Sequence, residues 1–208
     1  NELSKKGFYI LESKDKIFKQ VLIALFGAII IIQNFIPFLG YIPMGPLNLT
    51  IIHITVIVTA LVFGTKYGSI IGGIWGIITF IRAFVWPTSP LAAIVFVNPL
   101  ISILPRILIG TVAGWLFKFL TLRTGKKYLS MTVAAVAGSL VNTILVLGQI
   151  YLFYRGHSMA LYHIDIQALL PYLLGVIATN GIPEAILAGI LAPMIAKPLR
   201  KMMIDRIK

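Results

Sequence analysis

The stretch NPLISILPRILIG, residues 98–110, is apolar apart from Asn98, Ser102 and Arg106. It reads as a membrane helix with a guanidinium set into it, and the class of the whole chain follows from whether that reading extends outward. Composition says that it does. The chain is 59% hydrophobic and only 12% charged, where soluble domains carry about 25% charged residues. Its mean hydropathy is +0.97. Too few polar groups exist to cover a water-facing surface, so the expected solvent is lipid. The expected fold class is an all-α membrane protein forming one integral membrane domain over residues 1–208. A basic segment, 1–18, precedes the first apolar stretch and a basic tail, 197–208, follows the last.

Crossing the hydrocarbon takes about 20 apolar residues. Six stretches approach this length: 19–37, 47–63, 67–86, 97–118, 129–154 and 169–196. The second is the shortest, reaching about 25 Å at ~1.5 Å per residue. The first lacks a small-residue cleavage site and reads as a retained helix.

The net charge of +12 is a topology signal. Fifteen of the eighteen Lys and Arg fall before helix 1, between helices 2 and 3, between helices 4 and 5, and after helix 6. All lie on one side of a six-helix arrangement. The positive-inside rule makes that side cytoplasmic, with both termini inside. This distribution argues against nucleic acid as a partner and favours anionic lipid headgroups. The exceptions are Arg82, Arg106 and Arg155.

The polar residues inside the spans share a depth. Gln33, Asn34, His53, Arg82, Asn98, Arg106, Asn142, Gln149, Asn180 and Glu184 map to the outer half or the midplane. A charge near the bilayer centre costs about 2.5–3.5 kcal/mol on the insertion scale, so such a gathering points to a cavity opening outward. Glu184 is the acid well inside a span, and it is placed to pair with Arg106 as a buried bridge or to leave that role to a ligand. Two arginines against one acid leave a positive charge for an anion, and the guanidinium fork binds carboxylates bidentately. Asn98, Asn142, Gln149 and Asn180 offer both donors and acceptors to amides and hydroxyls. Trp75 and Tyr172 complete the candidate lining with His53, although His53, alone on its helix, reads first as a packed hydrogen-bonding residue.

No HExxH, P-loop or G-x-S-x-G motif occurs, so neither catalysis nor ATP hydrolysis is expected of this chain. No cofactor is implied. His157, His163 and Asp165 lack a further well-spaced ligand and make a poor metal site; with no cysteine, thiolate metal sites and disulfides are excluded. The loops FLGYIPMGPLN, WPTSPLAAIVFV and RGHSMALYHIDIQ are rich in Pro, Gly and apolar residues, and are expected to pack as lids. Small residues recur at four-residue spacing: Gly68, Gly72 and Gly76; Gly110 and Gly114; Ala134 and Gly138; Ala185 and Gly189. Such stripes let helix backbones approach closely in lipid.

Helix 1 carries ALFGA, with Ala24 and Ala28 four apart, and helix 2 leads into FGTKYGSIIGGIWG. With the six-helix layout and the outer polar residues, the chain resembles the substrate-binding S components of energy-coupling factor (ECF) vitamin transporters. FIPFLGYIPMGPLNLT, RAFVWPTSPL and NPLISILPRILIG are most similar to the pantothenate-type S components. The resemblance implies a multi-pass protein of the bacterial plasma membrane that captures a small anionic vitamin from outside. It also implies partners: a transmembrane coupling protein, docked through Ala24 and Ala28, and two ATPase subunits that hydrolyse ATP. S components for folate, hydroxymethylpyrimidine or pyridoxine-like solutes remain alternatives, as do a structural membrane protein and a secondary carrier. Internal repeats, common in carriers, are not evident.

Overall fold

The computed structural model describes residues 2–44, 47–87, 90–157 and 166–207. His163 and Asp165, and most of the loop that follows Arg155, lie outside the described residues. The elements run α1 (Glu2–Phe35), α2 (Pro37–Gly40), β1 (Tyr41–Met44), β2 (Leu47–Thr50), α3 (Ile52–Phe63), α4 (Thr65–Val85) and α5 (Pro90–Val95). There follow α6 (Pro99–Ser102), α7 (Leu104–Thr124), α8 (Lys127–Tyr154), α9 (Ile166–Val176), a π-turn (Ile177–Gly181) and α10 (Ile182–Ile207).

Among the described residues, four helical stretches are long and apolar enough to cross a bilayer: Thr65–Val85, Pro99–Thr124, Lys127–Tyr154 and Gln167–Met203. The other two expected spans are shorter. The apolar part of α1 is Gln20–Phe35, although the helix itself starts at Glu2, inside the expected basic segment. The expected second span, 47–63, is corrected more sharply. Its first four residues, LNLT, alternate apolar and polar at the two-residue period of a strand and pair with β1 as an antiparallel hairpin, Tyr41 opposite Thr50. The helix that remains, α3, has 12 residues and is about 18 Å long. The last span also runs on, because the basic tail stays helical to Ile207.

α3 is short because it is central. Every residue from Ile52 to Leu61 is buried, so it is apolar on all sides, as a helix without a solvent or lipid face must be. The helices around it close up through the small-residue stripes. A Cβ on Gly72 would collide with the carbonyl of Arg106, and one on Gly110 with the backbone of Gly68, so α4 and α7 pack backbone to backbone. A Cβ on Gly138 would meet Ala113 at 3.1 Å and one on Gly189 would meet Val136 at 2.8 Å, so α7 closes on α8 and α8 on α10. Polar side chains add cross-links: Ser69 to Thr111 at 2.8 Å, and Thr55, donating to Gln33 Oε1, at 2.8 Å. Gly125, in the left-handed region at φ 65, ends α7 and lets α8 start two residues later.

One stripe behaves differently. Ile30 and Phe26 turn α1 inward, Phe26 edge-on to Phe63 with ring centroids 5.8 Å apart. Ala24 and Ala28 lie on the opposite, exposed face.

The close α4–α7 crossing sets a sharp test. Gly110→Ala places a methyl group against the Gly68 backbone, and overpacking of this kind costs about 1–3 kcal/mol. Thermal unfolding in detergent should drop by several degrees, whereas Gly148→Ala, which meets nothing within 4 Å, should not lower it.

Candidate functional site

The local sequence explains how Arg106 comes to be held inside the membrane domain. Pro105 has no N–H, so the carbonyl four residues earlier, Ile101 O, loses its helical partner. Arg106 Nη1 donates to it at 2.7 Å. The helix is broken at Ile103, between α6 and α7, so Arg106 sits in the first turn of α7. Gly72 lets that turn approach α4 and leaves Trp75, one turn on, beside the guanidinium. The Arg106 Cζ lies 5.2 Å from the Trp75 ring centroid and 5.0 Å from that of Phe96. Cation–π contacts of this kind are worth about 2 kcal/mol when desolvated.

Arg82 is placed by the same logic. α1 ends at Phe35, which leaves its last carbonyls without helical donors. Arg82 Nη1 donates to one of them, Asn34 O. Asn34 turns its own amide back onto Ile30 O at 2.7 Å. The two guanidiniums then border one cavity of about 120 Å³. α1 contributes Asn34, the hairpin Tyr41 and Thr50, and α4 with its exit Trp75, Thr79, Arg82, Ala83 and Pro87. Ala92 and Phe96, from α5 and the turn after it, and Arg106 complete the wall. Among the described residues no acid lines it.

Sequence reasoning named Trp75, Arg82 and Arg106, and these come together. Glu184 does not close a bridge to Arg106. Its Oε1 accepts the backbone N–H of Thr50 at 2.7 Å, tying the hairpin to α10. His53 is buried on α3, with Nε2 3.3 Å from Ser139 Oγ. Asn98 caps α6, its Oδ1 accepting the Leu100 N–H at 3.0 Å. Asn142 and Gln149 lie on α8, each with a buried side-chain oxygen that meets no donor among the described residues. Asn180 falls in the π-turn, and Tyr172 is 42% exposed on α9. None of these seven lines the cavity. Thr79 does, and the Trp75–Thr79–Arg82 spacing of a single helix face was the signal for it. Tyr41 and Thr50 face each other in the hairpin register, a pairing hidden while residues 47–50 read as helix. Two of the three expected lids, the hairpin and the α5 segment, border the cavity; the latter is held by Tyr154 Oη donating to Ile94 O at 3.1 Å. Among the described residues no cluster of His, Asp or Glu could hold a metal.

The family model for the ECF transporter substrate-specific component matches residues 18–196. This chain belongs to that family. The S component is thus an integral membrane protein of transporters and not itself an enzyme. It is 34% identical to the pantothenate transporter PanT of Leuconostoc mesenteroides, over 86% of this chain and 90% of that one. It is 31% identical to the pantothenic acid transporter PanT of Lactococcus lactis, over 90% of this chain and 96% of the relative. In fold it is similar to the crystal structure of the biotin S component of an ECF-type ABC transporter. The TM-score is 0.53 at 18% identity, covering 88% of this chain and 93% of that one.

Removing the α6 cap separates a scaffolding role for Asn98 from a ligand role. Asn98→Ala should destabilise by about 1 kcal/mol and Asn98→Asp should restore most of it, read as paired melting curves of the S component in detergent.

Proposed function

We propose that this S component captures pantothenate in the cavity between Arg82 and Arg106 and delivers it to an ECF coupling protein driven by two ATPase subunits. The observation that carries the reading is a pair of guanidiniums facing one small cavity with no carboxylate among the described residues of its wall. Each donates to a neutral carbonyl, and the Nε of each is buried without a hydrogen-bond partner among the described residues. Buried charge is costly unless paired, and an anionic solute supplies the pairing. Pantothenate offers one carboxylate to the arginines, an amide and two hydroxyls to Thr79, Tyr41 and Asn34, and a branched apolar centre to Trp75 and Phe96. The two PanT relatives favour the same solute. The chain works as one domain with six spans and both termini cytoplasmic, the arrangement its Lys and Arg distribution supports.

In isothermal titration, the purified S component should give heat with pantothenate and little with folate or a neutral pyrimidine; silence toward all three overturns the proposal. Losing one charge-assisted hydrogen bond costs about 1.5–3 kcal/mol, roughly 10- to 150-fold in affinity. Arg106→Met and Arg82→Met should each show that loss. Arg123→Met should bind normally, since Arg123 is exposed on the last turn of α7, over Phe119.

Docking on the coupling protein uses the exposed Ala24 and Ala28, whose short side chains admit a second helix at close range. The double change Ala24→Trp, Ala28→Trp should leave expression, melting and pantothenate affinity unchanged while abolishing co-purification with the coupling protein and ATP-dependent uptake. Unaltered assembly removes this face as the docking surface.

A further inference from the structure

α4 and α7 also frame a second cleft, at the ends remote from the arginine cavity. It holds about 480 Å³. Its wall carries Lys118 and Arg200 and, among the described residues, no acid. Arg200 is fixed there: Nη1 donates to Leu61 O, in the last turn of α3, and its Cζ lies 4.8 Å from the Phe117 ring centroid. That leaves most of the guanidinium donors available to the cleft. Gly64, at φ 94, joins α3 to α4 and gives the 21-residue helix α4 no side-chain cap; Gly64 and Thr65 lie on the cleft wall, which puts the positive end of the helix dipole beside it. A separate observation marks the spot. Thr121, on the cleft wall, has a buried Oγ1 without a hydrogen-bond partner among the described residues, which is costly unless something meets it.

Two cations, a helix N-terminus and an unmet hydroxyl border one cleft, which suits an anion with several acceptor oxygens. The surroundings say which kind. Leu122, on the cleft rim, is 78% exposed, and on the same helix Trp115 stacks on Phe119 with ring centroids 5.5 Å apart. The cleft therefore sits beside an apolar wall suited to acyl chains and a stacked aromatic pair of the kind found at membrane interfaces. We propose that this cleft binds the phosphate of an anionic phospholipid, with Arg200, Lys118 and Thr121 as its ligands and the chains laid along α7. Basic pockets between helices hold such headgroups elsewhere.

The test uses the full chain in mild detergent. Native mass spectra and melting curves are recorded with phosphatidylglycerol, with phosphatidylcholine and with inorganic phosphate. Phosphatidylglycerol should be retained and should raise the melting temperature, and the other two should do neither. A basic side chain near the headgroup is worth about 1 kcal/mol, close to fivefold in affinity, so Lys118→Gln and Arg200→Gln should each weaken retention about fivefold. Because Arg200 also closes the end of α3, Lys118→Gln and Thr121→Val decide the outcome should Arg200→Gln fold poorly. Equal retention of phosphatidylcholine, or unchanged phosphatidylglycerol retention in Lys118→Gln and Thr121→Val together, overturns the site. A full shift from inorganic phosphate alone overturns the lipid as its occupant. Loss of coupling-protein co-purification in Lys118→Gln with lipid retention intact assigns the cleft to that partner instead. Pantothenate titration of the same variants should be unaffected, which keeps this result separate from the fate of the arginine cavity.

Discussion

In lipid no water waits to satisfy a backbone carbonyl, and each unmet one costs several kcal/mol. The structure depends on how three such carbonyls are met. Asn34 O is stranded where α1 ends, Ile101 O where Pro105 interrupts the run from α6 into α7, and Leu61 O where α3 stops short. Each is taken by an arginine side chain: Arg82, Arg106 and Arg200. One N–H of each guanidinium thus secures the fold. The others face a cavity or a cleft, so a residue type expensive to bury holds the scaffold and presents charge at the same time.

The glycine stripes make this possible. Gly72 and Gly110 allow α4 and α7 to touch through their backbones, which fixes the first turn of α7, and Arg106 with it, against Trp75. Without that contact the guanidinium would lose the Trp75 ring beside it. The hairpin is held by Glu184 of α10, so a carboxylate that looked like a partner for Arg106 serves to position Thr50 on the cavity rim.

Much of this was legible in the letters, and the failures have physical causes. Hydropathy and spacing located α4, α8 and the long final helix, and the lone charges in apolar runs pointed to Arg82 and Arg106. Hydropathy alone does not tell a buried strand from a buried helix, so LNLT was absorbed into a span; its alternation was visible but only four residues long. Depth along a helix was readable, but its rotation was not. Asn142, Gln149 and Asn180 therefore joined the candidate lining on depth, although none of them borders the cavity. Backbone acceptors such as Ile101 O are not written in any side chain, except through the proline that strands them.

The fully surrounded α3 has a history as well as a position. Chains emerge from the ribosome N-terminus first, so α3 is made before α4, α7, α8 and α10, the helices that later enclose it. During that interval its neighbours are lipid tails, and afterwards they are protein. A sequence apolar around its whole circumference is tolerated by both. The hydroxyl of Thr59, closed onto the carbonyl of Thr55 at 2.8 Å within the helix itself, asks nothing of either environment. His53 differs, because its partner Ser139 is synthesised 86 residues later. The middle of the molecule is thus written for two successive solvents, with one histidine left waiting for the second.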